Sequence, residues 1–384
     1  MNIFDRPFLE RGFRPFFFLG AFYSFLTVLI WGRFFAGQIT PPSFMLDDPI
    51  LWHAHEMVYG YAMAIVAGFL LTAVANWTGG APTRQFQLAA LCAVWVAGRL
   101  VMNIDFSLPP WLVYSIDCSF LPVLAISLAI PLLKSRNTRN FIFLGLLTVL
   151  FLCDVAFFVL SSATPLYIAL MVILTMVSLI GGRIIPAFTV SALRRKGMSV
   201  FQIDQKALDI AALLSLIALI LILGVWGYDN IIFASFCSVS SLIHAARLRY
   251  FYSLKTFFDP MLWILHVGYI WLVIGLILLA VSGFGFIPFS IALHALTVGC
   301  IGSMTIGMMC RVALGHTGRD IHANRVTTLM FLLMQIAAVL RVSGPLIYPQ
   351  EMAFWIISSS TIWSLVFFVY LLSYGRILLT SRKD

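Results

Sequence analysis

Two histidines and a glutamate stand together in the string W-H-A-H-E-M at Trp52–Met57, in a run otherwise apolar enough to cross a membrane. Ionisable side chains are costly in hydrocarbon, so they usually face a bundle interior and mark an ion path, a cofactor or a substrate site. Neutral imidazole is also the commonest metal ligand. Five further histidines complete the set: His244, His266, His294, His316 and His322.

The elements that carry these residues are membrane spans. The chain has 384 residues, 61% of them hydrophobic and only 10% charged, with a mean hydropathy of +1.01. Apolar runs of about 20 residues, enough to cross a hydrocarbon core of roughly 30 Å, recur along its length. Twelve spans are predicted, near 16–36, 52–75, 86–103, 110–133, 140–161, 164–188, 207–227, 230–247, 260–281, 287–311, 325–344 and 351–375. The expected fold is therefore an all-α polytopic bundle forming a single transmembrane domain over 1–384.

The net charge of +9 is a topology signal and does not point to nucleic acid. With both termini in the cytoplasm, most Lys and Arg fall on that side, in loops led by Arg84, Lys134, Arg194, Arg247 and Arg319. Outer loops carry Asp47, Asp48, Asp105, Asp229 and Glu351 instead. No small-residue cleavage site follows the first run, which is read as a retained helix. The six cysteines all lie within predicted spans and form no C-x-x-C pair, so neither a disulfide framework nor a thiolate zinc site is expected.

Counting spans converts position into depth, at about 1.5 Å per helical residue. His53, His55 and Glu56 then lie at the outer mouth of span 2, and His294 about two turns into span 10. Arg99, Asp117, Asp154 and Arg341 fall near the same outer level. Arg183, Asp209, His244, His266 and Arg311 lie toward the inner face, with His316 and His322 in the loop that follows. About 15–20 Å separates the two levels, so one metal cannot use both.

His53 and His55 are two residues apart, hence roughly 200° apart on a regular helix. Either they serve different surroundings, or the chain before Glu56 is not yet helical. Gly60, Ala64, Ala67 and Gly68 in span 2, with Gly299, Gly302 and Gly307 in span 10, permit close helix approach. They would equally leave room for a flat macrocycle. Spans 2, 6 and 10 share a faint echo (G-F-L-L-T-A, G-R-I-I-P-A-F-T, G-M-M-C-R), compatible with a bundle built in three arcs.

For His53, His55 and His294 the chemical reading is metal or haem ligation, against the lining of a solvated vestibule. His266 divides evenly between ligation and interhelical hydrogen bonding. His244 and His316 lean to satisfied or solvated groups, and His322 more so. Arg183 stands one turn before Pro186, which breaks the backbone ladder and frees carbonyls; it could instead grip a carboxylate such as a propionate. For Arg311 and Arg319 ordinary interfacial charge is the better reading. Met304, Met308 and Met309 could offer soft copper(I) ligands, but flexible filler suits them better. Asp117, Asp154 and Asp209 could pass protons or pair with Arg99 or Arg183.

Several of these strings occur in order in one family. W-H-A-H-E-M-V-Y-G from Trp52, N-W-T-G at Asn76–Gly79, G-G-R-I-I-P-A-F-T at Gly181–Thr189 and I-L-H at Ile264–His266 resemble the NnrS family. So do H-A-L-T-V-G and R-V-A-L-G-H-T-G-R within His294–Arg319, and R-P-F-F at Arg14–Phe17. The resemblance spans nearly the whole chain. It implies a bacterial membrane protein containing haem and copper, linked to nitric oxide and denitrification and protective against nitrosative stress. It brings no ligand assignment with it.

By analogy alone, haem–copper oxidases also have twelve core helices, with low-spin haem ligands on the second and tenth. His294 with His53 or His55 would suit a bis-His haem b in that arrangement. Spans 6 and 7 contain no histidine, so the three-His copper centre of those oxidases cannot form in its usual place. The remaining histidine or His266 would be available to copper or a second haem, with Glu56 holding a His tautomer.

The expectation is thus a multi-pass protein of the bacterial cytoplasmic membrane that uses haem b, and copper with less support, to bind or turn over nitric oxide. As an enzyme it would be a haem-dependent oxidoreductase acting on nitric oxide. The alternatives are a quinol-linked b-type cytochrome, or a secondary transporter using the outer His/Glu/Asp cluster. Matched broken helices in two halves would favour the transporter, and in the sequence only Pro186 suggests one.

Overall fold

The structure is a computed structural model, and it describes residues 6–40 and 48–383. Asp47, placed in an outer loop above, lies outside the described residues. Among the described residues there is no strand, and twelve helices are long and apolar enough to cross a membrane. They are α1 Phe13–Phe35, α2 Pro49–Thr78, α3 Gln85–Asn103, α4 Pro110–Lys134, α5 Thr138–Leu160 and α6 Thr164–Arg195. Then follow α7 Lys206–Trp226, α8 Ile231–Leu248, α9 Pro260–Gly283, α10 Phe289–His316, α11 Arg325–Ile347 and α12 Pro349–Leu379. The protein is a multi-pass membrane protein, and each predicted span has its helix.

Local chemistry sets the helix starts. Asp48 and Asp259 each precede a proline at the first helical position and accept a backbone N–H two residues on, at 2.7 and 2.9 Å. This pairs a side-chain cap with a residue whose missing N–H costs nothing there. Asn230 and Asn324 cap α8 and α11 in the same way, each at 2.9 Å from a backbone N–H three residues on.

Two helices contain π-helical segments. In α2, Pro49–His55 is α-helical, Glu56–Ala62 is π-helical, and Met63–Thr78 is α-helical again. In α10 the order is the same: Phe289–His294, a π segment Ala295–Gly302, then Ser303–His316. Each π segment begins directly after a histidine. Such segments are rare and frequently sit at functional sites.

The chain divides into two compact units, Met1–Leu170 with Val312–Asp320 and Phe367–Asp384, and Met171–Arg311 with Ile321–Val366. In the first, α1 packs along α2: Gly20 faces Ile65, Gly60 faces Tyr23, and Gly68 faces Phe16 and Phe17. In the second, α9 packs along α10: Gly268 faces Met304, Gly299 faces Trp271, and Gly307 faces Ile264 and Leu265. The spacings match residue for residue. The same helix pair is built twice, once in each unit. These glycines seat side chains of the neighbouring helix, so close approach is their role.

Candidate functional site

Unit 1 holds a buried charged network at the start of the α2 π segment. His55 and Glu56 have no exposed surface, and Asp154, Asp117 and Arg99 are 1%, 3% and 7% exposed. His55 Nδ1 lies 2.8 Å from Glu56 Oε1; a carboxylate can only accept, so the ring N–H donates. On the other side of the ring, Nε2 lies 3.1 Å from Asp154 Oδ1 and 3.2 Å from Asp117 Oδ2. Arg99 donates from Nη1 to both Glu56 oxygens at 2.7 Å and from Nη2 to Asp117 Oδ1.

Four helices converge to make this arrangement. α2 supplies His55 and Glu56, α3 supplies Arg99, and α4 and α5 supply Asp117 and Asp154. Gly98 lets α4 come close, since a Cβ there would sit 3.0 Å from Asp117 Oδ1. Tyr23 of α1 donates its hydroxyl to Glu56 Oε2. Asn103 joins it, with its amide 2.9 Å from the Tyr23 hydroxyl and 3.3 Å from Glu56 Oε2. Trp52 Nε1 closes the outer edge on Asn103 Oδ1 at 3.1 Å. Phe157, Phe158 and Tyr59 sheathe the His55 ring, with centroids 5.0–5.4 Å away.

Formal charges decide what this network can do. Glu56, Asp117 and Asp154 face a single guanidinium, so the group is electron-rich unless protons or a cation enter it. Burying uncompensated charge costs several kcal/mol per ion even after relaxation. The site is therefore able to hold protons or a metal ion.

Of the residues placed at the outer level by depth, the structure brings His55, Glu56, Arg99, Asp117 and Asp154 together. Tyr23, Asn103 and Trp52 were not singled out; of these only Asn103, a polar side chain ending span 3, carried a sequence signal. His53 goes elsewhere, because Pro49–His55 is a regular helix and turns it to another face. There it is half-buried and stacks on Trp31, with centroids 4.2 Å apart and planes 7° from parallel.

His294 and Arg341 belong to unit 2. The half-buried His294 donates from Nδ1 to the Ser290 carbonyl at 2.5 Å, which fixes the tautomer with its lone pair on Nε2. Arg341 is buried in α11, and its Nη1 has no hydrogen-bond partner.

The inner-level histidines of unit 2 are held by hydroxyls. His244 Nδ1 donates to Ser240 O at 2.8 Å while Nε2 meets Ser178 Oγ at 3.0 Å. His266 lies between Ser253 Oγ at 2.9 Å and Thr189 Oγ1 at 2.8 Å. These bonds account for their burial without a metal. Arg183 is half-buried on α6. The fully enclosed arginine at this level is Arg247, which lies against Gly182 and donates to Tyr269 OH at 2.6 Å and Asp209 Oδ1 at 2.7 Å. Arg311 covers the Phe188 ring at 3.9 Å, an internal partner for its charge.

In unit 1, His316 Nδ1 accepts from Arg11 Nη1 at 3.2 Å, leaving the ring proton on Nε2. That tautomer offers no free lone pair to a metal. Arg319 donates to Thr317 O and Thr380 Oγ1, both at 3.2 Å. His322, in unit 2, is exposed in the loop before α11.

The fit to haem differs between the two π-segment histidines. At His55 both ring nitrogens face carboxylates, a setting for a small cation or protons. At His294 Nδ1 is anchored to the Ser290 carbonyl, a bond that fixes ring orientation and tautomer as it does in ligating histidines. A soft copper(I) centre does not fit: Met304 fills the contacts at Gly181 and Gly268, and Met308 and Met309 are buried core.

No curated protein matches the chain. The family model described as NnrS protein matches residues 7–382, nearly its whole length. The chain belongs to the NnrS family.

Proposed function

We infer that this protein acts in the bacterial cytoplasmic membrane, with both termini inside, to bind nitric oxide or relieve nitrosative stress, and that it carries haem b. Family membership supports the nitric-oxide part of the reading. The observation that carries the haem part is the His294 Nδ1–Ser290 hydrogen bond at the head of the α10 π segment. His294 would be an axial ligand through Nε2. Bound haem supplies an iron able to take a diatomic ligand, with axial ligand and surroundings setting its potential. Nitric oxide is neutral and enters lipid, so it needs no polar channel to reach a centre within the bilayer. Copper is left out of the reading because the donor sets do not suit it.

Absorption spectra of detergent-purified protein test this directly. A Soret band that shifts with nitric oxide and is lost in His294→Ala is expected. A colourless wild-type protein, or a band indifferent to His294→Ala, would overturn the haem assignment.

One observation favours a second reading. Broken helices at matching positions in two halves are a pointer to transporter binding sites, and α2 and α10 each pass from α to π geometry after equivalent histidines. On this reading the unit 1 network is an ion site. Ion flux into proteoliposomes by colourless protein would replace the first reading with this one.

A further inference from the structure

We propose that His55 Nε2, Asp117 Oδ2 and Asp154 Oδ1 bind a single divalent first-row metal ion of the iron(II), manganese(II) or zinc(II) kind, separate from any haem.

Two of the three donor separations are those an ion would impose, and the third donor pair lies close enough to share it. Nε2 lies 3.1 Å from Asp154 Oδ1 and 3.2 Å from Asp117 Oδ2, and all three ligand atoms fall within 4.8 Å of one another. Around an ion bound at about 2.0–2.2 Å, donors stand roughly 3–3.5 Å apart. Because Nδ1 spends the ring proton of neutral His55 on Glu56, Nε2 presents a lone pair. Lone pairs from a nitrogen and two carboxylates then converge, an arrangement that repels unless a proton or a metal cation lies among them. Asp117 Oδ2 is buried and makes no hydrogen bond, although its other oxygen is held by Arg99.

The groups behind the donors are those of a metal site. A carboxylate on the far nitrogen of a ligating histidine fixes its tautomer and raises its basicity, and Glu56 stands there. Arg99 holds both that carboxylate and Asp117 in place. Charge closes as well: three carboxylates, one guanidinium and a divalent ion sum to zero around a neutral imidazole. One imidazole with two carboxylates is a borderline-to-hard set, suited to these ions and poor for copper(I).

The second helix pair argues against a merely structural network. At the matching positions of α9 and α10, Trp271 replaces Tyr23 and Ala295 follows the histidine where Glu56 does in α2. That pair packs at the same register with none of this charge. The helix pair therefore does not need Glu56 to form.

Metal analysis of purified protein, followed by Mn(II) titration after chelator treatment with free ion read by electron paramagnetic resonance, tests the site. Wild type should take up a single equivalent. Asp154→Asn and His55→Gln should lose it, and Glu56→Gln should bind about 10–100-fold more weakly. His294→Ala should bind as wild type does, which separates this outcome from that of the haem reading. No Mn(II) uptake by wild type, or undiminished uptake by Asp154→Asn and His55→Gln, would overturn the proposal. The wild-type titration decides even if a variant fails to fold.

Discussion

Arg99 grips Glu56 with one nitrogen, Nη1 lying 2.7 Å from each carboxylate oxygen, while Nη2 holds Asp117. One side chain thus ties α3 to both α2 and α4, inside a network that is otherwise anionic. Removing it would leave buried carboxylates without their cation, a loss that typically costs about 3–5 kcal/mol. Arg99→Met should sharply lower the melting temperature of the detergent-solubilised protein. Lysine should rescue only partly, because a point charge cannot make the two-armed contact. Adding Glu56→Met to Arg99→Met should recover part of the loss. Additive losses in the double variant would show that the two residues do not act as a pair.

The paired glycines make a second prediction with an internal control. A Cβ at Gly60 would run into Tyr23, and one at Gly299 into Trp271. Overpacking of this kind costs about 1–3 kcal/mol. Gly60→Ala and Gly299→Ala should each destabilise, whereas Gly145→Ala should not, since nothing lies within 4 Å of the added methyl. Gly60→Ala should also weaken the charged network, because Tyr23 is both the obstructed ring and a donor to Glu56. Equal stability across the three variants would remove the close-approach account.

Much of this was legible in the sequence. Hydropathy located the spans because a bilayer imposes one length on every crossing helix. Span counting put His55, Arg99, Asp117 and Asp154 at one level, since depth follows from direction and a fixed rise per residue. Which faces meet was not legible: that depends on helix rotation, and the π segment after His55 shifts the phase on which any periodicity argument rests. The echo among spans 2, 6 and 10 caught one real pair. Spans 2 and 10 share glycines at equal spacing and end on Thr78–Gly79 and Thr317–Gly318, both glycines at positive φ. Tyr23 escaped because a lone tyrosine within an apolar span marks no site, and Trp52 because aromatic residues near membrane interfaces are too common to mark one.

The stacking of His53 on Trp31 predicts a role apart from the network. His53→Phe keeps a flat ring on the indole and should leave Mn(II) uptake and haem absorption close to wild type. His53→Ala removes the stack, with a loss of about 0.5–1.5 kcal/mol. Disappearance of the Soret band in His53→Phe would instead make His53 an axial ligand.

The ion pair between Asp209 and Arg247 is lopsided, and the two ends should respond differently. The Asp209 side chain is 45% exposed, while that of Arg247 is 3% exposed. Solvent screens the aspartate, so Asp209→Asn should cost no more than about 1 kcal/mol. Arg247 also donates to Ser178 Oγ at 3.0 Å and to Tyr269 OH at 2.6 Å, and Ser178 in turn meets His244. Arg247→Leu removes these charged donors at once and leaves a gap beside Gly182. Hydrogen bonds to charged groups contribute about 1.5–3 kcal/mol each, so this variant should lose several times what Asp209→Asn does. Thermal melts of the two variants, side by side in one detergent, check the asymmetry. Comparable losses would mean that the carboxylate, and not the hydroxyl network, holds Arg247 in place.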